Sequence, residues 1–124
     1  MKKKTFLKND DKNNTIVKHL RFIITEPDPE QNILAVNLTT LRNTGREDMS
    51  CIILPGEHSF IRKESYIAYK YAEELSIIKI LQQSMESSII FMEDINQDLL
   101  IRVQNGAKIS LLLPVKFRKY FEHF

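Results

Sequence analysis

An arginine and two threonines occupy neighbouring apolar segments of the sequence. Arg21 lies within TIVKHLRFIIT, and Thr39 and Thr40 end the next segment, ILAVNLTT. If the two segments pair as antiparallel strands, the end of the second returns beside the start of the first, which would bring both threonines near Arg21 and His19. A guanidinium binds a phosphate bidentately and a hydroxyl adds a neutral donor. The pattern therefore predicts a phosphodiester site, where fixed donors would stabilise charge on the phosphoryl oxygens.

The same residues also have a structural interpretation. An arginine on the polar face of a strand usually pairs with a carboxylate, and threonines are common at strand ends. His58, in PGEHSFI, is either a general base or phosphate donor, or a structural histidine. In the structural interpretation its ring nitrogens hold the loop while Phe60 and Ile61 anchor it in the core. The residues alone leave these alternatives open.

The loop LRNTGRED follows the two threonines directly. Arg42 and Arg46 flank its turn at Gly45, so they are candidates for holding phosphates. Glu47 and Asp48 in the same loop would oppose this by neutralising the arginines. The loop therefore predicts either a border of a nucleic-acid groove or a neutral surface turn.

Metal and cofactor chemistry find no support in the sequence. The three histidines are far apart, and Cys51 has no partner cysteine. Three glycines form no phosphate-binding loop, and no Gly-x-Ser-x-Gly motif is present. We therefore expect neither a metal nor a cofactor, and the single cysteine favours a reducing, cytoplasmic environment.

Composition favours one domain over residues 1–124. The chain is 43% hydrophobic with a net charge of +2, so a nucleic-acid contact would need a local basic patch. No apolar run approaches the length of a membrane span, and the basic N-terminus lacks the apolar stretch of a secretory signal. We expect residues 1–14 to form a flexible basic arm, whose lysines either seek phosphate or are simply solvated.

Alternating patterns predict strands over residues 15–75. Leu20, Phe22 and Ile24 share one strand face, and the turn EPDPEQN leads into the second strand of a hairpin. MSCIILP and SYIAYKYA predict a third and a fourth strand, the last with an aromatic face. Several short strands joined by short turns are typical of a small barrel.

Residues 76–124 have mainly helical spacing. A first helix starts at Ser76, and a second runs from Met92 through Val103 until Asn105-Gly106 caps it. A third begins at Pro114 and carries an aromatic stripe, which is more typical of a core or a dimer seam than of a ligand site. The stripe consists of Phe117, Tyr120, Phe121 and Phe124. The chain is therefore predicted to be α+β, with helices packed on the barrel.

Three stretches resemble the MazF/PemK (Kid-like) toxins. RFIITEPDPEQNILAVNLTT is similar to the arginine-containing strand, turn and Thr/Ser-ended strand of that family, and ESYIAYKYAEEL is similar to a later segment. CIILPGEHSFIRKESYIAYKYA resembles a PemK-like branch with a Gly-(Asp/Glu)-His-x-Phe-Ile segment. The resemblance spans residues 16–80.

This resemblance implies an SH3-like barrel, usually a homodimer, that cleaves single-stranded RNA without metal and is held by a cognate antitoxin peptide. It gives Arg21 the role of acid/base and transition-state stabiliser, and Thr39 the role of polarising the phosphate. Thr40 is a second match. The remaining candidates for substrate binding are His19, Arg42, Arg46 and His58.

Two other functions stay open. One is a catalytically silent PemK-like binding or interaction module of a toxin–antitoxin or defence system. The other is an antitoxin- or immunity-type partner protein.

Overall fold

The computed structural model describes residues 1–8, 10–12, 15–17 and 19–122, with side chains over 1–8 and 19–122. Its strands are β1 (Thr5–Lys8), β2 (Asp10–Lys12), β3 (Thr15–Val17), β4 (Leu20–Ile23), β5 (Asn32–Thr40), β6 (Ile52–Ile53), β7 (Ser65–Ser76) and β8 (Ile89–Met92). Its helices are α1 (Ile77–Met85), α2 (Gln97–Ile109) and a 3₁₀ helix (Val115–Phe121).

Six strands form an antiparallel sheet in the order β6-β7-β5-β4-β1-β8, curled into a half-barrel. β2 and β3 pair with each other beyond it. The α+β class is therefore confirmed, as is a barrel-like sheet followed by helices.

The predicted hairpin is present. β4 and β5 are antiparallel, with Arg21 opposite Asn37 and Phe22 opposite Val36. The Thr25 hydroxyl accepts a hydrogen bond from the Leu34 N–H at 2.9 Å, which joins the strands where the turn begins. The first predicted strand is interrupted, because β3 ends at Val17 and β4 starts at Leu20.

The prediction of a flexible arm is wrong for β1. Thr5–Lys8 pairs with β4 on one side and β8 on the other, and the side chains of Thr5 and Phe6 are fully buried. The lysines and asparagines on either side made the strand hard to recognise in the sequence. The short Thr-Phe-Leu segment is nevertheless enough to form a strand between two others in the sheet. Asn9, Asn13 and Asn14 lie outside the described residues.

Both faces of the sheet are covered. Leu20 and Phe22 face a core shared with α2 and the 3₁₀ helix, whereas Ile23 and Phe6 face a second core beneath Ile80 of α1. Burial from both sides fixes β4 firmly, and with it the start of the groove described below.

The second half contains one strand that the pattern concealed. β8 occupies Ile89–Met92, so the assignment of Met92 to a helix is wrong. The helix begins later, where the Asn96 side chain caps it by accepting from the Leu99 N–H at 2.8 Å. The first predicted helix, α1, begins directly after Ser76 as expected.

The predicted cap at Asn105-Gly106 is also wrong. α2 continues to Ile109, and Gly106 is buried inside it. A Cβ on Gly106 would overlap the Tyr69 hydroxyl and would lie 2.9 Å from the Cβ of Cys51. The glycine therefore allows the helix to approach β7 closely, and it does not end the helix.

The aromatic stripe lies on the protein's own core. Phe117 is buried, and Tyr120 and Phe121 pack against the first core from the 3₁₀ helix. Phe124 lies outside the described residues. Since its described members already have cover within the chain, the stripe gives no reason to expect a dimer.

Candidate anion-binding groove

A groove of about 330 Å³ opens where β4 begins and β5 ends. Three segments form its walls: the start of β4, the end of β5 and the loop before β7. The lining residues are His19, Leu20, Leu38, Thr39, Thr40, Arg42, Phe60, Ile61, Arg62, Lys63 and Ser65. Four of the residues predicted from sequence, His19, Thr39, Thr40 and Arg42, therefore meet in one place.

Strand register explains this convergence. Arg21 lies opposite Asn37 in the antiparallel pair, so the residue before β4 and the residues that end β5 lie at the same end of the pair, where His19 and Thr39 both line the groove. On the other side of β5, Thr40 pairs with Ser65 at the start of β7. That pairing brings the loop preceding β7 back to the end of β5 and supplies the third wall.

The groove is basic at its rim and apolar at its base. Arg42, Arg62 and Lys63 are exposed, and among the described residues no carboxylate lies within 4.0 Å of their charged groups. Leu20 and Ile61 are buried beneath them, while Phe60 is 37% exposed. Cations whose side chains form no ion pair with the described carboxylates, beside an accessible ring, suit a ligand that carries both phosphate and a flat base.

Glu47 shapes the loop that carries Arg42. Its carboxylate accepts hydrogen bonds from the backbone N–H groups of Arg42, Thr44 and Gly45 at 3.0–3.1 Å. These bonds, the Thr44 amide foremost, lower the pKa of Glu47 to about 2. The charge of Glu47 is therefore directed at the loop backbone, so the expectation that it neutralises the arginines does not describe its contacts.

Asp48 and Arg46 stand apart from the groove. Asp48 accepts from the Ser50 N–H at 3.0 Å and from the hydroxyl of Ser110, which ties the loop to the end of α2. Arg46 is exposed and is not among the residues that line the groove. The loop LRNTGRED therefore contributes one of its two arginines.

Arg21 lies in the interior, away from the groove lining. It is 5% exposed, and its Nε donates to the Asn37 side chain at 3.2 Å. One terminal nitrogen is 3.8 Å from a Glu73 carboxylate oxygen. This is the structural alternative raised by the sequence, and it leaves the guanidinium poorly placed for the catalytic role that the resemblance implies.

His58 is likewise outside the groove lining but holds one of its walls. It is 2% exposed, and its Nδ1 accepts the Phe60 N–H at 3.0 Å. Its Nε2 lies 2.8 Å from the backbone carbonyl of Glu93. These contacts match the interpretation of a histidine that fixes its loop, and the buried Ile61 anchors that loop in the core as expected. The expectation that Phe60 also anchors it is wrong, because Phe60 is 37% exposed.

Sequence reasoning missed Phe60, Arg62 and Lys63 as groove residues. The available signal was the Arg-Lys pair between the apolar HSFI segment and the start of the next strand. It did not stand out because nothing in the local pattern shows that this loop returns to the end of β5.

Among the described residues, no helix has both the length and the apolar character needed to cross a membrane. Over the same residues, no group of three or more His, Cys, Asp or Glu side chains could hold a metal ion. Comparison with protein-family models, with curated proteins and with solved structures found no match to this chain.

Proposed function

We propose that the protein is a binding module for single-stranded RNA, which contacts the groove between β4, β5 and the loop before β7. The observation that carries this proposal is the basic rim of Arg42, Arg62 and Lys63 beside the accessible ring of Phe60. Single-stranded nucleic acids are held by a cationic track for phosphates together with aromatic rings on which bases stack.

The groove concentrates positive charge in a chain whose net charge is small. At +2 the whole protein would attract a polyanion only weakly, so binding needs charges gathered in one place. Thr39 and Thr40 line the same groove, and their hydroxyls add neutral donors and acceptors to it. Such groups can contact the 2′-hydroxyl that distinguishes RNA from DNA.

A salt titration tests the proposal. We expect a labelled RNA of mixed sequence, about 12 nucleotides long, to bind with an affinity that falls as salt rises. In the double variant Arg62→Ala/Lys63→Ala the log–log salt slope should decrease in magnitude by about 1.4, or ~0.7 for each phosphate that the variant no longer binds.

The matched control is Lys70→Ala/Lys79→Ala, which removes the same charge from exposed lysines outside the groove. It should leave the slope within about 0.3 of wild type, because these lysines contact no phosphate in this proposal. Equal effects of the two double variants, or no RNA binding even at low salt, would overturn the assignment of the groove.

A second candidate is a metal-independent endoribonuclease of the MazF/PemK kind. The co-location of His19 with Thr39 and two arginines supports it. His19 would remove the proton of the ribose 2′-hydroxyl, whose oxygen attacks phosphorus as the bond to the 5′ oxygen breaks. The leaving 5′ oxygen would take a proton from solvent, so the products would be a 2′,3′-cyclic phosphate and a 5′-hydroxyl, with Arg42 and Arg62 stabilising the phosphoryl oxygens.

RNA incubated with a chelator separates the two candidates. The enzyme predicts fragments that end in a cyclic phosphate, and a loss of roughly 10²–10⁴ in rate for His19→Gln. Intact RNA under conditions where binding is measurable would leave the binding module. The family resemblance is the basis for four further proposals: the role of toxin, the SH3-like barrel, the homodimer and the antitoxin peptide. Sedimentation at micromolar concentration tests the homodimer.

A further inference from the structure

The contacts of His58 define the protonation of its ring. A backbone N–H only donates, so the Phe60 amide at 3.0 Å requires a lone pair on Nδ1. A carbonyl oxygen only accepts, so the Glu93 carbonyl at 2.8 Å requires a hydrogen on Nε2. The Thr5 hydroxyl donates to the same carbonyl at 2.7 Å and lies 3.3 Å from Nε2. The geometry is that of a neutral imidazole with its proton on Nε2.

A second proton on His58 can be placed only on Nδ1. There it would point at the Phe60 N–H, and two donors would face each other across a contact that now holds the loop. Glu93 provides the alternative partner, since one of its carboxylate oxygens lies 3.9 Å from Nδ1. The other close neighbours are uncharged: Thr5 from β1 and the Phe22 ring from β4, whose centroid is 6.4 Å away.

The Glu93 carboxylate is placed to accept a hydrogen bond from a protonated Nδ1. Its carboxylate already accepts the Ser59 N–H at 2.6 Å, and that bond lowers the pKa of Glu93. The carboxylate is therefore charged under conditions where a histidine ring gains a proton. Ser59 and Phe60 are adjacent, so His58 and Glu93 together determine the backbone position of both residues.

We infer that His58 is a positioning residue for the groove: its protonation moves Nδ1 from the Phe60 amide to the Glu93 carboxylate and displaces the Phe60 ring from the groove rim. The proton comes from solvent, and no covalent bond is broken. The inference rests on the proposed function for its consequence, because losing a stacking ring weakens RNA binding only if the RNA stacks there.

The displacement has a direct readout that needs no RNA. In a nuclear magnetic resonance titration from about pH 8 to about pH 5, we expect the Phe60 amide resonance to shift as the His58 ring protonates. We also expect the protection factor of this amide, the exchange rate of an unstructured amide at the same pH divided by its own, to fall. The Leu34 amide, bonded to the Thr25 hydroxyl, is the internal reference, since neither partner titrates. Its chemical shift and its protection factor should stay constant.

His58→Asn is the matched variant. The asparagine Oδ1 sits near the position of Nδ1 and accepts a hydrogen bond without titrating, so the protection factor of the Phe60 amide should become independent of pH. A Phe60 amide that ignores His58 protonation in the wild type, or a His58 that stays neutral until the protein unfolds, would overturn the inference. The wild-type titration decides this even if His58→Asn fails to fold.

RNA affinity completes the test in the variant His19→Gln. Because protonated His19 would itself attract phosphate, removing it isolates the effect of His58. RNA affinity should then fall by about fivefold or more between about pH 8 and about pH 5. A loss of about fivefold corresponds to the weakest contribution expected from one base stacked on an aromatic ring. In His19→Gln/His58→Asn it should be constant.

The two hypotheses fail in different ways. Absence of RNA binding at every pH, with Phe60 still following His58, would reject the RNA proposal and retain the positioning role. RNA binding together with a Phe60 amide that does not respond to protonation of His58 would reject the positioning role and retain the RNA proposal.

Discussion

Arg21 and Arg42 belong to the same hairpin region but occupy opposite environments. Arg21 lies within β4, opposite Asn37, with its side chain 6% exposed and near Glu73. Arg42 follows the end of β5, where no strand covers it and it borders the groove. The difference shows that position relative to the paired strands, and not the residue type, decides whether an arginine contributes to the core or to a binding surface.

Two other arginines support this distinction. Arg102 donates to the Ile52 carbonyl at 2.7 Å and pairs with Glu57, while Arg118 donates to the Lys108 carbonyl at 3.0 Å. Both satisfy backbone acceptors within the chain. Arg42 and Arg62 differ because their charge remains directed to solvent, where a ligand can reach it.

The largest expected effect comes from Arg21→Ala. Removing this side chain leaves the Asn37 amide without its donor and opens a cavity in the sheet, so the free energy of unfolding should fall by about 2–4 kcal/mol. Urea unfolding followed by circular dichroism measures this loss. RNA affinity, corrected for the folded fraction, should stay within about twofold of wild type. A well-folded variant that loses RNA binding or cleavage would instead return Arg21 to the functional site.

Gly106→Ala should be the next most damaging change. The added methyl group would overlap the Tyr69 hydroxyl, which donates to the Val103 carbonyl at 2.6 Å. Overpacking of this kind costs about 1–3 kcal/mol of unfolding free energy. The neighbouring exposed substitution Asn105→Ala should change stability by less than about 0.5 kcal/mol. Equal stabilities in thermal unfolding would show that the helix can move away from β7.

Arg42→Ala, compared with Arg46→Ala, should change binding without changing stability. Both variants remove one exposed positive charge from the same loop, but only Arg42 lines the groove. RNA affinity should fall by about twofold to fivefold for Arg42→Ala, as for an exposed ion pair, and less for Arg46→Ala. Fluorescence anisotropy at one salt concentration measures both. The reverse order would place the ligand on the other side of the loop.

The smallest effect is local and depends on pH. The pKa of Glu47 falls from 4.5 to about 2 in the folded protein, so its ionised form favours the folded loop. This stabilisation is present above pH 4.5 and is lost as the pH falls towards about 2. The protection factors of the Thr44 and Gly45 amides against hydrogen exchange should fall over that window, and in Glu47→Gln they should be low already at neutral pH. Unchanged exchange in Glu47→Gln would mean that the charge does not hold the loop.

Periodicity predicted the hairpin and α1 because both have long, regular patterns. It failed at β8, since the run of four apolar residues from Ile89 to Met92 fits a short strand and a buried helix turn equally well. It failed at Gly106 because a glycine required by a neighbour in space has the same local signature as one that ends a helix. β1 was missed since its burial depends on β4 and β8, which are distant in sequence.

The residues of the candidate site also fall into those that the sequence predicted and those that it did not. His19 and Thr39 follow from the pairing of consecutive strands, so the sequence was enough to bring them together. Arg21 pairs with Glu73 near the far end of β7, and no local pattern predicts that contact. The place of Lys63 in the groove could be predicted only from the path of the whole loop before β7. Residues joined by local pairing were thus predictable, and those joined by distant segments were not.

The pairing of β1 with β8 also has a consequence for biosynthesis. Lys8 lies beside Ile89, so β1 leaves the ribosome long before its partner β8 and waits for it to complete its hydrogen bonds. Closing so long a loop is entropically costly, and such non-local pairings form slowly. Until then Phe6 stands at an open apolar edge. Unfinished chains would thus be prone to aggregate and to bind chaperones, a vulnerability that ends only when β8 emerges.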